Sequence, residues 1–389
     1  MKILMLSIFS PHFINWTRQL KDSGHEVYWL DVLDSKTEVK HLSFVEHLTG
    51  WRYRWDYPGR YFLKEKASYF TKIINIFNER NLQVQLEIQI KKIQPDVVHS
   101  FVMYLAGIPV LNVMKKFPGV KWIYSAWGSD MYYYQGLPKH LKGMKKTLPE
   151  INYMFADCQR DYNIARKHGF QGEFLGVFPG GGGYDFNTLD PLIKNQTDRN
   201  LILIKGYQGL HGKCISVLKA ILNLKSQLGN YKIVIFGATP EVFDFVEGSS
   251  LKQFNNIKVY GNLPFDILMK IMGESIIYIG NSTSDGTPNT LLEAIVMGAF
   301  PIQSNPGGAT SENIKDNFNG LLIKDPEDSS AIASTIETAL NNHEMLQAGV
   351  DFNNLNIKPK LERGYIRKNV LAAYKVVENS LKTRMAENK

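Results

Sequence analysis

The sequence predicts an α/β chain built of two doubly wound, Rossmann-like domains with parallel sheets. Short β-rich runs alternate with helical stretches over the 389 residues. The alternation stops at a glycine-rich break and then restarts. A parallel strand pair needs a crossover of a dozen or more residues, and a helix supplies it. Length agrees, since single cores stop growing near about 250–300 residues. Two such domains in tandem are expected to face a central cleft. Ligands of open α/β sheets sit at the carboxyl ends of the strands, so function belongs in the loops that follow strands.

The first domain is expected over residues 1–184. MKILMLSIF has one Lys and a short apolar stretch but no small-residue cleavage site, so it reads as a buried strand, not a signal peptide. Its strand candidates are Lys2–Phe9, His25–Asp31, Asp96–Phe101, Val120–Ala126, Tyr153–Asp157 and Glu173–Phe178, with helices at Phe13–Ser23 and Tyr104–Phe117. Gly180–Gly183 and the polar stretch 185–200, which holds Pro191, read as a flexible crossover and linker. The second domain, 201–365, offers strands at Leu201–Lys205, Tyr231–Phe236, Ile257–Tyr260, Ile276–Ile279, Phe300–Gln303 and Gly320–Ile323. Leu361–Thr383 is helical, with Val370, Ala373, Tyr374 and Val377 on one stripe.

Composition narrows the class. A hydrophobic fraction of 44% with 21% charged residues fits a folded globular chain. Apolar runs break well short of a membrane span. The net charge of +8 favours anionic partners: nucleoside diphosphates, acidic lipids or nucleic acid. The two cysteines, Cys158 and Cys214, fall in different expected domains, which argues against a disulfide framework and fits a reducing cytoplasm.

The most informative segment is Tyr278–Ala294. A strand ends near Gly280, and a polar loop carries Asp285. Thr287 suits an N-cap and Pro288 the first helical position, with Gly298 as the stop after Met297. Leu291, Leu292, Ile295 and Val296 form the buried face, and Asn289 and Glu293 share another at i, i+4 spacing. Helical side chains lean toward the N-terminus, so Glu293 reaches back toward the strand ends. The free amides and dipole of a helix start suit a phosphate.

Seven residues separate Asp285 from Glu293. With Gly298–Ser304, Gly307–Glu312 and Asn319–Leu322, the segment resembles the E-x7-E signature of the family 4 retaining glycosyltransferases. That resemblance implies a GT-B fold, with the C-terminal helix, about 366–389, packing back on the first domain. It implies transfer of a sugar from a UDP- or GDP-linked donor, with no cofactor and no metal; the sequence has no D-x-D motif. Glu293 would hold the donor ribose and Asp285 the transferred sugar. Ser284, Gly286, Thr287, Asn289 and Thr290 would complete the donor side. Asp285 stands where the family has Glu, a side chain shorter by about 1.5 Å. The donor phosphate itself can take the acceptor's proton in that mechanism.

The run Leu201–Lys213 is a strand, a glycine-rich loop and a helix start. Relatives clamp the donor diphosphate here with Arg and Lys; in this chain Tyr207 occupies the Arg position, and the cations are Lys205, just before Gly206, and Lys213. In the first half, Trp127 stands where many relatives have His, and Asp130 follows it as a candidate to orient a hydroxyl. His12, in the loop after the first strand, and His99, at a strand end, complete the acceptor side. Structural alternatives remain for each: an Asx turn for Asp130, a bland loop residue for His12 and a packed imidazole for His99.

Residues 51–72 hold six basic residues (Arg52, Arg54, Arg60, Lys64, Lys66, Lys72), two acidic ones and eight aromatics. Such interleaving suits a membrane interface, an acceptor-binding flap or stacked single-stranded nucleic acid, and the membrane is the leading functional reading, with no nucleic acid expected. The resemblance thus implies a cytoplasmic enzyme at the inner face of a membrane, acting on a glycan or lipid-linked acceptor in surface polysaccharide or glycoconjugate assembly. A non-catalytic sugar-binding subunit and a nucleotide-sugar epimerase are the alternatives.

Overall fold

The computed structural model describes residues 1–35, 37–55, 62, 66 and 68–387. It divides into two compact units: Met1–Ala156, Tyr162–Gly180 and Asn369–Lys389 in the first, Asp157–Asp161 and Gly181–Lys368 in the second.

The first unit is built on β1 (Lys2–Ser7), β2 (Glu26–Asp31), β3 (Val45–Leu48), β4 (Val97–Phe101), β5 (Lys121–Ala126), β6 (Tyr153–Ala156) and β7 (Glu173–Val177). These seven pair in the order β3-β2-β1-β4-β5-β6-β7, every pair parallel. The second unit holds β8 (Leu201–Lys205), β9 (Lys232–Phe236), β10 (Ile257–Val259), β11 (Ser275–Gly280), β12 (Phe300–Ser304) and β13 (Leu321–Ile323). They form a parallel sheet in the order β10-β9-β8-β11-β12-β13. Both orders are those of a doubly wound Rossmann sheet. Central strands are buried along nearly their whole length, as β1, β4 and β11 are. Helices cover both faces of such sheets, which explains continuous apolar runs in place of alternation.

Twelve strands fall where the sequence puts them, within a residue or two at each end. β3 was not foreseen: Val-Glu-His-Leu is short and half polar. Its His47 lies flat on Trp29, with ring centroids 3.9 Å apart. The first helix runs over Pro11–Arg18, not Phe13–Ser23, because Ser10 Oγ accepts from Phe13 N at 3.2 Å and Pro11 fills the first turn. Tyr104–Phe117 is not one helix. A π-turn at Met103–Gly107 passes into a 3-10 turn at Ile108–Val110 and a short helix at Leu111–Met114. Pro109 cannot donate within a continuous helix, which accounts for the break.

The stretch 185–200 is not a free linker. Its Arg199 guanidinium donates to the carbonyls of Lys194, Ser275 and Gly298 at 2.9, 3.1 and 2.6 Å, tying the segment to the second unit. Gly183 is also packed: at φ +82°, a Cβ there would lie 2.9 Å from Arg363 Cα. Tyr184 N donates to Leu361 O, and Arg363 N to Tyr184 O, each at 2.9 Å. Beyond Asn369, the C-terminal helix Arg363–Glu387 belongs to the first unit. There it buries Val370, Ala373, Tyr374 and Val377, the stripe read from the sequence.

Candidate functional site

Strand order reverses in the second unit between β8 and β11, the topological switch point where doubly wound sheets bind ligands. The loops leaving these two strands, 206–213 and 281–288, are the two that the motifs select. They are joined by backbone bonds: Lys213 N donates to Asn281 O at 3.0 Å and Thr283 N to His211 O at 2.8 Å. Gly206 has to be glycine, since a Cβ there would meet Ala238 Cα at 2.7 Å. Gly212 lies beneath the Tyr207 ring, where a Cβ would come within 2.3 Å of Cδ1. Tyr207 therefore folds over its own loop.

The helix after β11 covers Asn289–Val296, one residue short of the expected span at each end. Pro288, not Thr287, is the N-cap, and it offers no side-chain cap. Its extended ψ of 126° is what excludes it from the helix. Thr287 Oγ1 instead donates to Asp157 O at 2.8 Å. The first-turn amides of an α-helix lack intrahelical partners, so an uncapped start is suited to an anion. At the other end Gly298 adopts φ +71°. Gly298 N donates to Ile295 O at 3.1 Å and Ala299 N to Ala294 O at 2.9 Å, the Schellman pattern expected of a terminal glycine.

Around that helix start the motif residues converge. Gly286 is pressed on Asp157, and a Cβ there would lie 2.2 Å from its carboxylate. Asp285 Oδ1 accepts from Gly286 N at 2.9 Å. Ser284 is buried, and its Oγ has no hydrogen-bond partner among the described residues. Tyr278 rises from β11 and donates its hydroxyl to Thr290 Oγ1 at 2.8 Å. Burial pushes the Tyr278 phenol well up, and the charges of Glu293 and Asp285 add to that. Both carboxylates therefore lie within electrostatic reach of one hydroxyl. Glu293 keeps a solvent edge but is crowded by protein, and burial raises its pKa to about 7, with Lys205 opposing the rise. Tyr184 OH donates to Asn289 O at 3.2 Å, steadying the first turn.

Lys213 is the N-cap of the helix Cys214–Asn223, and its ammonium pairs with Glu327 at 2.8 Å. His211, beside it, is held below its ordinary pKa by burial, with Asp285 pulling the other way. Tyr278, Glu327, His211 and Asp157 escaped the sequence reading. Tyr278 sits in an apolar strand, and the other three are set against the motif by the fold alone. Asp157, Cys158 and Asp161 bring metal-type ligands together. Arg160 bonds Asp161 at 2.7 Å, and burial raises the pKa of the Cys158 thiol far above its ordinary value.

The first-unit candidates separate into two kinds. Trp127 is half-buried, its ring 6.2 Å from His12 and 4.7 Å from Phe101. A Cβ on Gly180 would touch His12 Nδ1 at 3.5 Å and Trp127 Nε1 at 3.6 Å, so these three line one surface. His99 and Asp130 are internal. His99 bonds Tyr374 OH at 2.7 Å and Ser125 Oγ at 2.8 Å, and burial holds its pKa well down, so it is a neutral packed imidazole. Asp130, expected to orient a hydroxyl, is buried and engaged by protein groups. Both of its oxygens lie 2.8 Å from Met103 N, and Tyr124 OH also donates to it. Val102, just before, has φ +68°, a strained value for a β-branched residue. Asp130 holds that turn closed. Of the basic-aromatic stretch, Tyr57, Arg60 and Lys64 lie outside the described residues, as does the side chain of Lys72.

Residues 2–159 match the sequence model of the family described as glycosyl transferase 4-like, and residues 189–350 that of glycosyl transferases group 1. The fold and these matches define the class: the chain is a glycosyltransferase of the GT-B fold. Among solved structures, sucrose-phosphate synthase from Thermosynechococcus elongatus is similar at 14% identity and TM-score 0.69, over 97% of this chain and 99% of that one. The Anabaena HepE protein in complex with UDP-glucose is similar at 13% and 0.68, over 97% and 100%. Trehalose 6-phosphate synthase from Burkholderia multivorans follows at 12% and 0.67, over 99% and 98%. No curated protein sequence matches the chain.

Proposed function

We propose that this chain transfers a hexose-type sugar, with retention, from a UDP- or GDP-linked donor to a glycan or lipid-linked acceptor, in surface polysaccharide or glycoconjugate assembly at the cytoplasmic face of a membrane. The observation that carries the reading is Glu293: a crowded carboxylate with its pKa lifted to about 7, near Lys205, on a helix whose start has no side-chain cap. A carboxylate so placed is a strong acceptor for a ribose diol, and the uncapped amides suit a pyrophosphate.

In this reading Glu293 holds the ribose. Asn289, Thr290 and the buried hydroxyl of Ser284 meet the diphosphate, with Gly206, Gly286 and Thr287 shaping the loops. Asp285 contacts the sugar. Lys205 and Lys213 oppose the charge that grows on the leaving diphosphate, which stabilises the transition state more than the ground state. The acceptor oxygen bonds to the anomeric carbon as the bond from that carbon to the phosphate oxygen breaks. The hydroxyl proton passes to the departing phosphate, so neither a side-chain base nor a metal is required. His12 and Trp127 are the acceptor-side candidates. The HepE structure was solved with UDP-glucose, which makes a uridine donor the first to test.

The test is kcat/KM for donor turnover in Glu293→Ala. A loss of at least tenfold, about 1.4 kcal/mol, is expected, and a smaller loss contradicts the assignment. A non-catalytic reading draws on Asp285 in place of Glu and Trp127 in place of His. Donor binding by calorimetry without turnover of any acceptor or of water would favour it.

A further inference from the structure

Helix Ser68–Asn78 is amphipathic in the wrong sense for a soluble protein. Tyr69, Phe70, Ile73, Ile76 and Phe77 are 71, 64, 41, 74 and 67% exposed. Their spacing of i, i+1, i+4, i+7 and i+8 makes one helical stripe. The inward positions are mostly polar: Thr71 and Asn78 are buried, and Asn75 is half-buried beside Ile74. An apolar stripe normally packs on a core; here it faces solvent.

The segment before the helix joins the same surface. Asn78 fastens Trp55 with both arms of its carboxamide, accepting from Trp55 N and donating to Trp55 O at 2.9 Å each. Arg54 N donates to Asn78 O at 2.9 Å. Trp55 is 49% exposed. Arg54 and Arg80 are exposed at this end of the helix and Lys66 is exposed just before its start, while the nearby acid Glu79 is paired with Arg52 at 2.6 Å. The helix itself contains no acidic residue.

We infer that helix Ser68–Asn78, with Trp55 at its end, is the element that lies in the interface of an anionic lipid bilayer. Exposed rings and branched aliphatics enter the boundary of the acyl chains. The rim of Arg and Lys meets the anionic headgroups. A second copy of the chain is disfavoured as occupant, because a two-fold contact would set Arg54, Lys66 and Arg80 against their own copies. Binding is read without sugar transfer, so its outcome is separate from that of the transferase reading.

The experiment is co-sedimentation of the full chain with vesicles of about one-third phosphatidylglycerol in phosphatidylcholine, beside pure phosphatidylcholine. Binding to the anionic vesicles, weakened by salt, is expected. The double variant Ile76→Ser/Phe77→Ser, at exposed positions, is expected to lower the partition coefficient at least tenfold with its melting temperature unchanged. No binding by the wild type, or equal binding by the variant, overturns the inference. A concentration-dependent dimer that the variant abolishes overturns it as well, by assigning the face to a second copy.

Discussion

Glu293 is unusual in its protonation. Its folded pKa of about 7 lies above the ordinary 4.5, so the native protein holds this proton more tightly than the unfolded chain. Its contribution to stability is therefore greatest below about pH 4.5 and is lost as pH rises through 7. In the role proposed for Glu293 binding runs the other way, since two ribose hydroxyls need the ionised acceptor. Glu293→Gln is expected to raise the melting temperature at pH 8, by on the order of 1–2 kcal/mol of stability. In the wild type, the donor KM is expected to fall between pH 6 and 8. The variant should bind donor poorly with little pH dependence, as scanning calorimetry and initial rates will report. Asp130 makes the opposite case. Its carboxylate holds the strained Val102–Met103 turn, so Asp130→Ala is expected to cost about 2–3 kcal/mol in urea unfolding while activity per folded molecule persists. A variant that stays stable and loses turnover would return Asp130 to the chemistry.

At the scale of elements, the site is two loops and one helix start at a strand reversal. The glycine-rich loop has no Arg where the resembling family has one; Tyr207 packs there against Gly209 and Gly212. In the proposed reading Lys213 is a principal cation for the donor, and Glu327 holds it at 2.8 Å. In that reading a diphosphate must draw Lys213 from that partner or share it. Glu327 is largely exposed, so the pair itself contributes little to stability. Glu327→Gln is expected to tighten donor binding several-fold, with Lys213→Ala weakening it, both by calorimetry. Weaker binding in Glu327→Gln would show that the carboxylate positions the lysine for the donor.

At the scale of the molecule, the two sheets share one strand order, and most of that was legible. Buried parallel strands leave continuous apolar runs, and helix starts leave Pro and Gly punctuation. β3 was not legible, because an edge strand of four half-polar residues carries neither signal. The packed stretch 185–200 reads as a linker from its composition, since the carbonyls that fix Arg199 come from residues 275 and 298. The loop and helix start that carry Asp285 and Glu293 were legible because their residues are local in sequence. The ties of Asp130 to residue 103 and of Lys213 to residue 327 were not, because only the fold brings those groups together.

The central claim is that the second unit grips a nucleotide sugar through Glu293. Thermal unfolding of wild type and Glu293→Gln across uridine and guanosine diphosphate hexoses tests it most directly. One donor should stabilise the wild type, by about 2.7 kcal/mol at a hundredfold excess over Kd, and leave the variant nearly unmoved. Equal stabilisation of both proteins, or none by any donor, would contradict it.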